Sequence, residues 1–322
     1  MQIKNKKVLI TGATGFIGAN LARRFIQLNA DVHILVRSSS DKWRIEDILN
    51  DVKGHCIDLM DYQALEKAVS GIKPDIIIHT AVYGGYIFQK DINKIMQVNI
   101  IGTVNLLNAC SKRGFELFIN TGTSSEYGRK NSPIKEDDAL EATGSYGISK
   151  AAASLYCQAV AKSKGRPIIT LRLFSPYGYY EEPTRLIPSV IISCLKDENP
   201  RVSSPGPVRD FIFIEDVVDA YVRAIGATEK AAGEIFSIGC GRQYSVGDVV
   251  SMIVKLTGSN VEPEWGSVPG HKDEPDIWQA DIAKARDILK WEPENTLDEG
   301  LTRNIKWFRE NVGLYDRKDK ES

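Results

Sequence analysis

Thr11-Gly12-Ala13-Thr14-Gly15-Phe16-Ile17-Gly18 is the stretch that decides how the rest of the chain reads. The apolar run Val8-Leu9-Ile10 precedes it and predicts a buried strand of a parallel sheet. Phe16, Ile17, Leu21, Phe25, Ile26 and Leu28 follow at helical spacing and predict a helix packed on that sheet. Gly12, Gly15 and Gly18 therefore sit at a strand-to-helix junction. There glycine permits a tight turn, close approach of backbone to a pyrophosphate, and close helix–strand contact. The helix N-terminus presents free N–H groups and the positive end of its dipole to such a phosphate. The spacing is Gly-x-x-Gly-x-x-Gly rather than the commoner Gly-x-Gly-x-x-Gly. The flanking strand and helix separate it from a plain turn.

Outward from this junction, strand-like and helix-like segments alternate. Strands are predicted at Val32 to Val36, His55 to Ile57, Ile76 to Ile78, Leu117 to Ile119 and Ile168 to Leu171. Helices are predicted at Tyr62 to Val69, Ile92 to Cys110 and Tyr146 to Ala161. Such alternation implies an α/β fold, a doubly wound parallel sheet with right-handed crossovers. After Leu171, prolines crowd the chain from Pro176 to Pro207 around a short predicted helix, Leu186 to Leu195. Loops beyond the carboxyl edge of a sheet are where a ligand is expected. The chain is then expected to return to the sheet with Phe211 to Phe213, form a helix from Asp216 to Ile225, and add a strand at Ile235 to Ile238. Helices near Val246 to Leu256, Ile282 to Leu289 and Leu297 to Phe308 follow, with Ser245, Asp281 and Thr296 as N-cap candidates. The expected division is a dinucleotide-binding domain of residues 1–172 with 210–240, and a smaller α/β substrate-binding lobe of residues 173–209 with 241–315. The charged end, Asp316 to Ser322, is expected to fray.

The 322 residues carry a formal net charge of −1, which argues against nucleic-acid or membrane-surface binding driven by bulk charge. Cys56, Cys110, Cys157, Cys194 and Cys240 lie far apart without a Cys-x-x-Cys, so neither a disulfide framework, a zinc site nor any other metal site is expected. No stretch reaches membrane-spanning length, and the first apolar run feeds the glycine turn rather than a signal peptide. The expectation is a cytoplasmic protein.

Two further stretches carry chemistry. In Tyr146-Gly147-Ile148-Ser149-Lys150, Tyr146 and Lys150 are four apart on a predicted helix and share a face. A nearby ammonium favours the phenolate, which is expected to lower the Tyr146 pKa and make it an acid/base for hydroxyl–carbonyl interconversion. At the end of the fifth strand, Asn120-Thr121-Gly122-Thr123-Ser124-Ser125-Glu126-Tyr127-Gly128 offers the Thr123 hydroxyl to the ligand crevice.

In this order and spacing the three stretches resemble the extended short-chain dehydrogenase/reductase family, and within it the NAD(P)-dependent nucleotide-sugar epimerases, dehydratases and reductases, which have a Rossmann fold. The resemblance covers nearly the whole chain. Asp58-Leu59 resembles the family's adenine-contacting pair, His79-Thr80-Ala81 its His-x-Ala beside the cofactor, and Asn99-x-x-Gly102-Thr103 its helix motif. Leu171-Arg172-Leu173-Phe174-Ser175-Pro176-Tyr177-Gly178 resembles its Arg-x-Phe-Asn-x-Tyr-Gly segment. Arg209-Asp210-Phe211-Ile212 with Asp216-Val217 resembles the motif in which an arginine meets the substrate diphosphate. The resemblance implies Tyr146 as general acid/base, Lys150 on the nicotinamide ribose, and Thr123 in place of the catalytic Ser/Thr. It implies cofactor contacts at Gly12, Thr14, Gly15, Phe16, Ile17, Gly18, Arg37, Ser38, Asp58, Leu59, Thr80, Ala81, Tyr146, Lys150 and Phe174. Substrate contacts are expected at Tyr83, Ser124, Ser125, Ser175, Arg185, Leu186, Arg209 and Asp276, the partner being a nucleotide-diphosphate sugar. A homodimer is implied, built through the predicted helices Ile92–Cys110 and Tyr146–Ala161, the second carrying Ala151, Ala152, Ala153 and Ala159.

Departures from the family pattern refine the expectation. The acid that dehydratases carry two residues before the tyrosine matched by Tyr127 is Ser125 here, and Glu126 is expected to point away by strand alternation. Dehydratase activity is thereby demoted. Ser175 replaces the usual asparagine, and Tyr179 the usual proline. Val36 is followed by Arg37-Ser38-Ser39-Ser40 instead of an acid, which suits a 2′-phosphate and predicts NADP, with NAD as the alternative. NADP use favours a 4-keto-reductase of an NDP-hexose as the leading reading. A 4-epimerase that keeps its cofactor bound is the rival, and a non-catalytic NADP-sensing module is the reading from another class.

Overall fold

The computed structural model describes residues 2–270 and 274–316. Residues 317–322 of the charged end lie outside the described residues. Six strands form the first part of the sheet: β1 (Lys7–Thr11), β2 (Asp31–Val36), β3 (Lys53–Cys56), β4 (Ile76–His79), β5 (Leu117–Thr123) and β6 (Ile168–Leu173). With Ile235–Ile238 they make a seven-stranded sheet in the order Ile235–Ile238, β6, β5, β4, β1, β2, β3. Every pairing in it is parallel.

The apolar runs are strands because both faces of this sheet are covered. Val8, Ile10, Ile76, Ile78, Leu117 and Ile119 enter one core with helix α1 (Phe16–Gln27). Leu9, Ile77 and Phe118, one residue out of phase, enter the other. That second core is built with α2 (Tyr62–Ile72), α4 (Gly102–Arg113) and α5 (Ser145–Lys164). The order reverses between β1 and β4, and the carboxyl ends of these strands open on the crevice where such sheets bind ligands.

Three expectations need correction. The segment from Ile92 onward is not one regular helix. A π-turn, Gln97–Ile101, separates α3 (Ile92–Met96) from α4. Its widened backbone turns Asn99 inward, fully buried, as such bulges do at functional positions. Phe211–Phe213 does not rejoin the main sheet; it pairs in parallel with β7 (Ser175–Tyr177) in a two-stranded sheet of its own. The open edge of β6 is taken instead by Ile235–Ile238, so Phe211–Phe213 continues the layer that β7 starts. The stretch at Ile282–Leu289 ends as a π-turn, Ala285–Leu289. Helix α6 (Leu186–Leu195) has its expected bounds. Ser245 and Thr296 close capping boxes, and Asp281 accepts from the Ala283 amide at 2.9 Å. The five cysteines are free, three of them buried. Among the described residues no helix is long and apolar enough to cross a membrane.

Candidate active site

The glycine turn is built for close approach. Gly12 has φ +73°, and a Cβ there would stand 2.6 Å from the Ala81 amide nitrogen. A Cβ on Gly18 would collide with the Gly12 carbonyl, so this glycine lets α1 start directly over the turn. Gly15 is the N-cap of α1 and supplies no side-chain acceptor. The first amides of α1, from Phe16, Ile17 and Gly18, have no partner within the helix and are aimed outward. A cradle that any Cβ would fill, at a bare N-terminus, fits the pyrophosphate of a dinucleotide.

The wall of this cradle is tied together at the ends of β1 and β4. Thr80 donates its hydroxyl to the Thr11 carbonyl at 2.7 Å, and the Ala81 amide donates to the Thr11 hydroxyl at 3.3 Å. His79 lies between Thr11 Oγ1 (2.7 Å from Nδ1) and Thr103 Oγ1 (2.9 Å from Nε2). Thr103 donates its own proton to the Asn99 carbonyl, so His79 must donate from Nε2 and accept at Nδ1. Burial, aided by the Lys150 charge, pushes the His79 pKa down to about 3, and the ring is a neutral strut.

Asp58 accepts from the Met60 amide and Leu59 lies against Gly102, so the two residues are held just after β3. After β2, Arg37 and Ser38 are exposed. Asp41 is committed locally, accepting from the Trp43 amide at 3.1 Å. Thr14 is half-buried in the turn, and Phe174 is buried between β6 and β7.

Thr123 and Tyr146 come together, and Lys150 follows one turn along the same helix. Thr123 ends β5, and Tyr146 and Lys150 lie one turn apart on α5. The Thr123 hydroxyl engages Tyr146 and accepts from the Ser125 amide at 3.3 Å. The ring of Tyr146 lies against Gly84 and Gly85. The loop carrying Tyr83 is fixed by buried Asn99, which bonds Tyr83 through both its amide and its carbonyl and also reaches Ser149 at 2.9 Å.

The electrostatics differ from the sequence expectation. Burial raises the Tyr146 pKa, and the Thr123 hydroxyl and the Arg185 charge are the groups that pull it back. Burial lowers the Lys150 pKa, opposed first by Glu126. The Lys150 ammonium thus answers to the carboxylate beneath it. Glu126 is indeed turned into the interior, for a different reason than strand alternation. Ser124–Glu126 is a 3₁₀ turn capped by Thr123, and Glu126 Oε1 accepts from the Thr123 amide at 2.9 Å. Glu126 Oε2 takes Arg172 Nε at 2.7 Å, with both side chains sealed from solvent.

The remaining expected substrate residues are spread along the crevice side. Ser124 is buried, Ser125 is linked to Thr123 by hydroxyls 3.4 Å apart, and Ser175 and Leu186 are half-buried. Arg185 caps the start of α6 with its side chain half exposed. Arg209 pairs with Glu274 at 2.6 Å and stacks 5.7 Å from the Trp278 ring, and not with its neighbour Asp210. Asp210 is buried and ties down the amides of Cys240, Gly241 and Ala280. Asp276 is exposed, and its carbonyl accepts from the Gln243 side-chain amide at 3.1 Å. Sequence reasoning missed Tyr86, Glu181 and Glu274, whose charges or rings surround these positions. For Glu181 the available signal was a glutamate pair directly after two tyrosines, in Tyr179-Tyr180-Glu181-Glu182.

Comparison with known proteins agrees with this geometry. Residues 8–239 match the sequence model described as the NAD dependent epimerase/dehydratase family. The chain is 28% identical over 321 residues to a UDP-glucuronate 4-epimerase of Thermodesulfobacterium geofontis, covering 95% of this chain and 97% of that one. It is similar to the UDP-glucose 4-epimerase of Thermotoga maritima solved with UDP-glucose, with TM-score 0.88, 27% identity, and 95% and 99% of the two chains covered. It is also similar to the UDP-glucuronic acid 4-epimerase of Bacillus cereus solved with UDP-glucuronic acid and NAD, with TM-score 0.84, 28% identity, and 94% and 99% covered. These relatives are epimerases rather than reductases, and the bound cofactor named among them is NAD, which favours the rival reading over the leading one. With its glycine cradle, its seven-stranded parallel sheet and a match over most of its length, this chain belongs to the NAD dependent epimerase/dehydratase family of enzymes.

Proposed function

We propose that the protein is a nucleotide-sugar 4-epimerase acting on an NDP-hexose, with a UDP-hexose the first candidate. The observation that carries this reading is the hydrogen bond of the Thr123 hydroxyl to Tyr146, with Lys150 one helical turn away, in a chain similar along its length to 4-epimerases. In this reading the amides of α1 hold the pyrophosphate of the dinucleotide, and Lys150 and Tyr146 hold its nicotinamide ribose. When bound there, the nicotinamide supplies reversible acceptance of a hydride from the sugar carbon. Tyr146 takes the hydroxyl proton from the sugar and returns it, with the Thr123 hydroxyl bridging the two oxygens. Burial disfavours the Tyr146 phenolate while the Thr123 hydroxyl and the Arg185 charge favour it, so Tyr146 must first release its phenol proton to solvent before it takes the one from the sugar. Arg209 and Arg185 anchor the diphosphate and sugar end. Residues 173–209 with 241–315 act as the lobe that grips the nucleotide-sugar. Dehydratase chemistry lacks an acid at Ser125, and the nearby Glu126 is committed to Arg172.

Incubation with UDP-, dTDP-, CDP- and GDP-hexoses and NAD, followed by proton NMR, tests the proposal. An equilibrium mixture of 4-epimers without net change in NADH absorbance is expected. Tyr146→Phe is expected to lose about 10²–10⁴-fold in turnover while keeping its ligand affinities.

A 4-keto-reductase using NADP is the second reading. It is favoured by exposed Arg37 and Ser38 after β2, and by Asp41 being committed to the Trp43 amide. Net oxidation of NADPH with a 4-keto-hexose nucleotide, faster than with NADH, would select it.

A further inference from the structure

We propose that Glu126 is a positioning residue for the acid/base: its carboxylate, anchored on Arg172, holds the Thr123 backbone at the spacing from α5 that lets the Thr123 hydroxyl reach Tyr146. The inference deepens the proposed function and rests on it for the reaction, while the placement itself is a property of the fold.

Three elements meet on this one carboxylate. Its Oε1 accepts from the Thr123 amide at 2.9 Å, where β5 ends. The same oxygen accepts at 3.0 Å from the hydroxyl of Ser154, one turn beyond Lys150 on α5. Its Oε2 takes Arg172 Nε at 2.7 Å, from β6. The strand end that carries Thr123 and the helix that carries Tyr146 are therefore tied to a single oxygen. Gly122, opposite Arg172 in the β5–β6 register, leaves room for it. A Cβ there would stand 2.7 Å from Glu126 Oε1 and 2.8 Å from Arg172 Cγ. Tyr127 steadies the far side, its ring 4.5 Å from the Arg172 guanidinium and its hydroxyl 3.1 Å from that of Ser237.

Stability alone does not account for the pair. A buried ion pair is often no better than apolar residues of the same volume. Here Arg172 Nη1 is also buried with no hydrogen-bond partner. What apolar residues could not do is accept from the Thr123 amide while Thr123 turns its hydroxyl to Tyr146. Of the groups acting on Tyr146, that hydroxyl is the first to favour the phenolate, ahead of Arg185, whereas the charges of Glu126 and Tyr86 disfavour it. Glu126 thus assists the phenolate through Thr123 and opposes it by charge.

The test compares two doubly substituted proteins loaded with NAD, Glu126→Gln with Arg172→Met and Glu126→Leu with Arg172→Met. Both lack both charges, and they differ in whether residue 126 can accept from the Thr123 amide. With UDP-glucose, the glutamine protein is expected to recover kcat to within about threefold of wild type. The leucine protein is expected to lose about tenfold or more in kcat with KM within about twofold. The acidic limb of its kcat–pH profile is expected about one unit higher than in the glutamine protein, because the phenolate has lost its Thr123 partner. Urea unfolding is expected to rank the leucine protein at least as stable as the glutamine one, so activity and stability run in opposite orders. In crystal structures of the two, Thr123 Oγ1 is expected within about 3.5 Å of the Tyr146 phenol oxygen with glutamine and beyond it with leucine. Gly122→Ala, which keeps both charges and crowds the carboxylate, is expected to raise the acidic limb in the same direction. Equal kcat and equal pH profiles in the two double variants would overturn the inference, as would a kcat that follows the unfolding midpoint. If the wild type interconverts no nucleotide-hexose, the proposed function falls, and the Thr123–Tyr146 separation in the two crystal structures still decides the placement.

Discussion

Glu126 and Arg172 meet 2.7 Å apart directly behind the proposed acid/base, with neither side chain reaching solvent. The pair links β6 to the turn that ends β5. Glu126 also accepts from the Thr123 amide at 2.9 Å and the Ser154 hydroxyl at 3.0 Å. Burial pulls its carboxyl pKa upward, while Arg172, the Thr123 amide and Lys150 pull it back. The carboxylate next to the dehydratase acid's position, which is Ser125 here, is therefore the counter-ion of a buried cluster, and it holds Thr123 in place.

Removing that charge leaves Arg172 buried without compensation. Glu126→Gln is expected to lower the unfolding free energy by about 3–5 kcal/mol, measured by urea unfolding at neutral pH. A loss below about 1 kcal/mol would show that water or relaxation satisfies Arg172 without it.

Arg209 is expected to grip the substrate diphosphate. Glu274 pairs with it and orients it at the rim, and Trp278 limits its swing. Arg209→Ala should raise the KM for nucleotide-sugar at least tenfold and leave cofactor affinity unchanged. Arg209→Lys should recover only part, because an ammonium cannot make two parallel bonds to a diphosphate. An unchanged KM in the alanine variant would move the diphosphate to Arg185.

Glu181 gives the fold a pH dependence with a definite sign. Its carboxyl, normally near 4.5, is held up to about 8 by burial, against the pull of Arg185 and Arg44 and with Glu182 reinforcing the rise. Tyr86, Tyr177 and Tyr315 also feel its charge. Between these values the folded chain keeps a proton that the unfolded chain has released. Stability therefore falls as pH rises from about 4.5 through about 8, and this contribution is flat above that. Glu181→Gln should flatten the fall, so its Tm relative to wild type should be higher at pH 9 than at pH 5.5. An equal difference at both pH values would mean that Glu181 ionises at its ordinary pKa.

On the outer face of α5, Ile148, Ala152, Leu155 and Ala159 recur at helical spacing, with Ile148 47% and Leu155 52% exposed. Ile101, 46% exposed, lies at the junction with α4. Of the four alanines noted in the sequence, Ala151 and Ala153 go into the chain's own core and Ala152 and Ala159 remain on this stripe. Such a stripe of small and aliphatic residues fits a second copy of the helix, and light scattering at micromolar concentration is expected to give a dimer. Leu155→Glu should convert it to a monomer; a monomeric wild type would contradict the assignment.

Much of this was legible in the sequence, for physical reasons. Strands buried on both faces read as unbroken apolar runs, so β1, β4, β5 and β6 are visible in Val8–Ile10, Ile76–Ile78, Leu117–Ile119 and Ile168–Leu171. The glycine turn is visible because no other residue tolerates φ +73° against the Ala81 backbone. What was not legible depends on partners distant in sequence. Phe211–Phe213 has the apolar texture of a sheet strand, and nothing local says that β7, rather than β6, is its neighbour. The π-turn at Gln97–Ile101 leaves no periodicity signal. The Tyr146–Lys150 spacing was readable, but the burial that raises one pKa and lowers the other was not. Neither was the pairing of Glu126 with a residue 46 positions away.

The most direct test of the proposed epimerase follows one atom. The NAD-loaded protein is incubated with UDP-[4-²H]glucose in ordinary water, and the product sugar is examined by NMR and mass spectrometry. The proposed function predicts UDP-galactose that keeps the deuterium at C4, formed without net consumption of reduced cofactor. Product that has lost the deuterium to solvent, or turnover that consumes NADPH mole for mole on a 4-keto-hexose nucleotide while UDP-[4-²H]glucose is left unchanged, would contradict it.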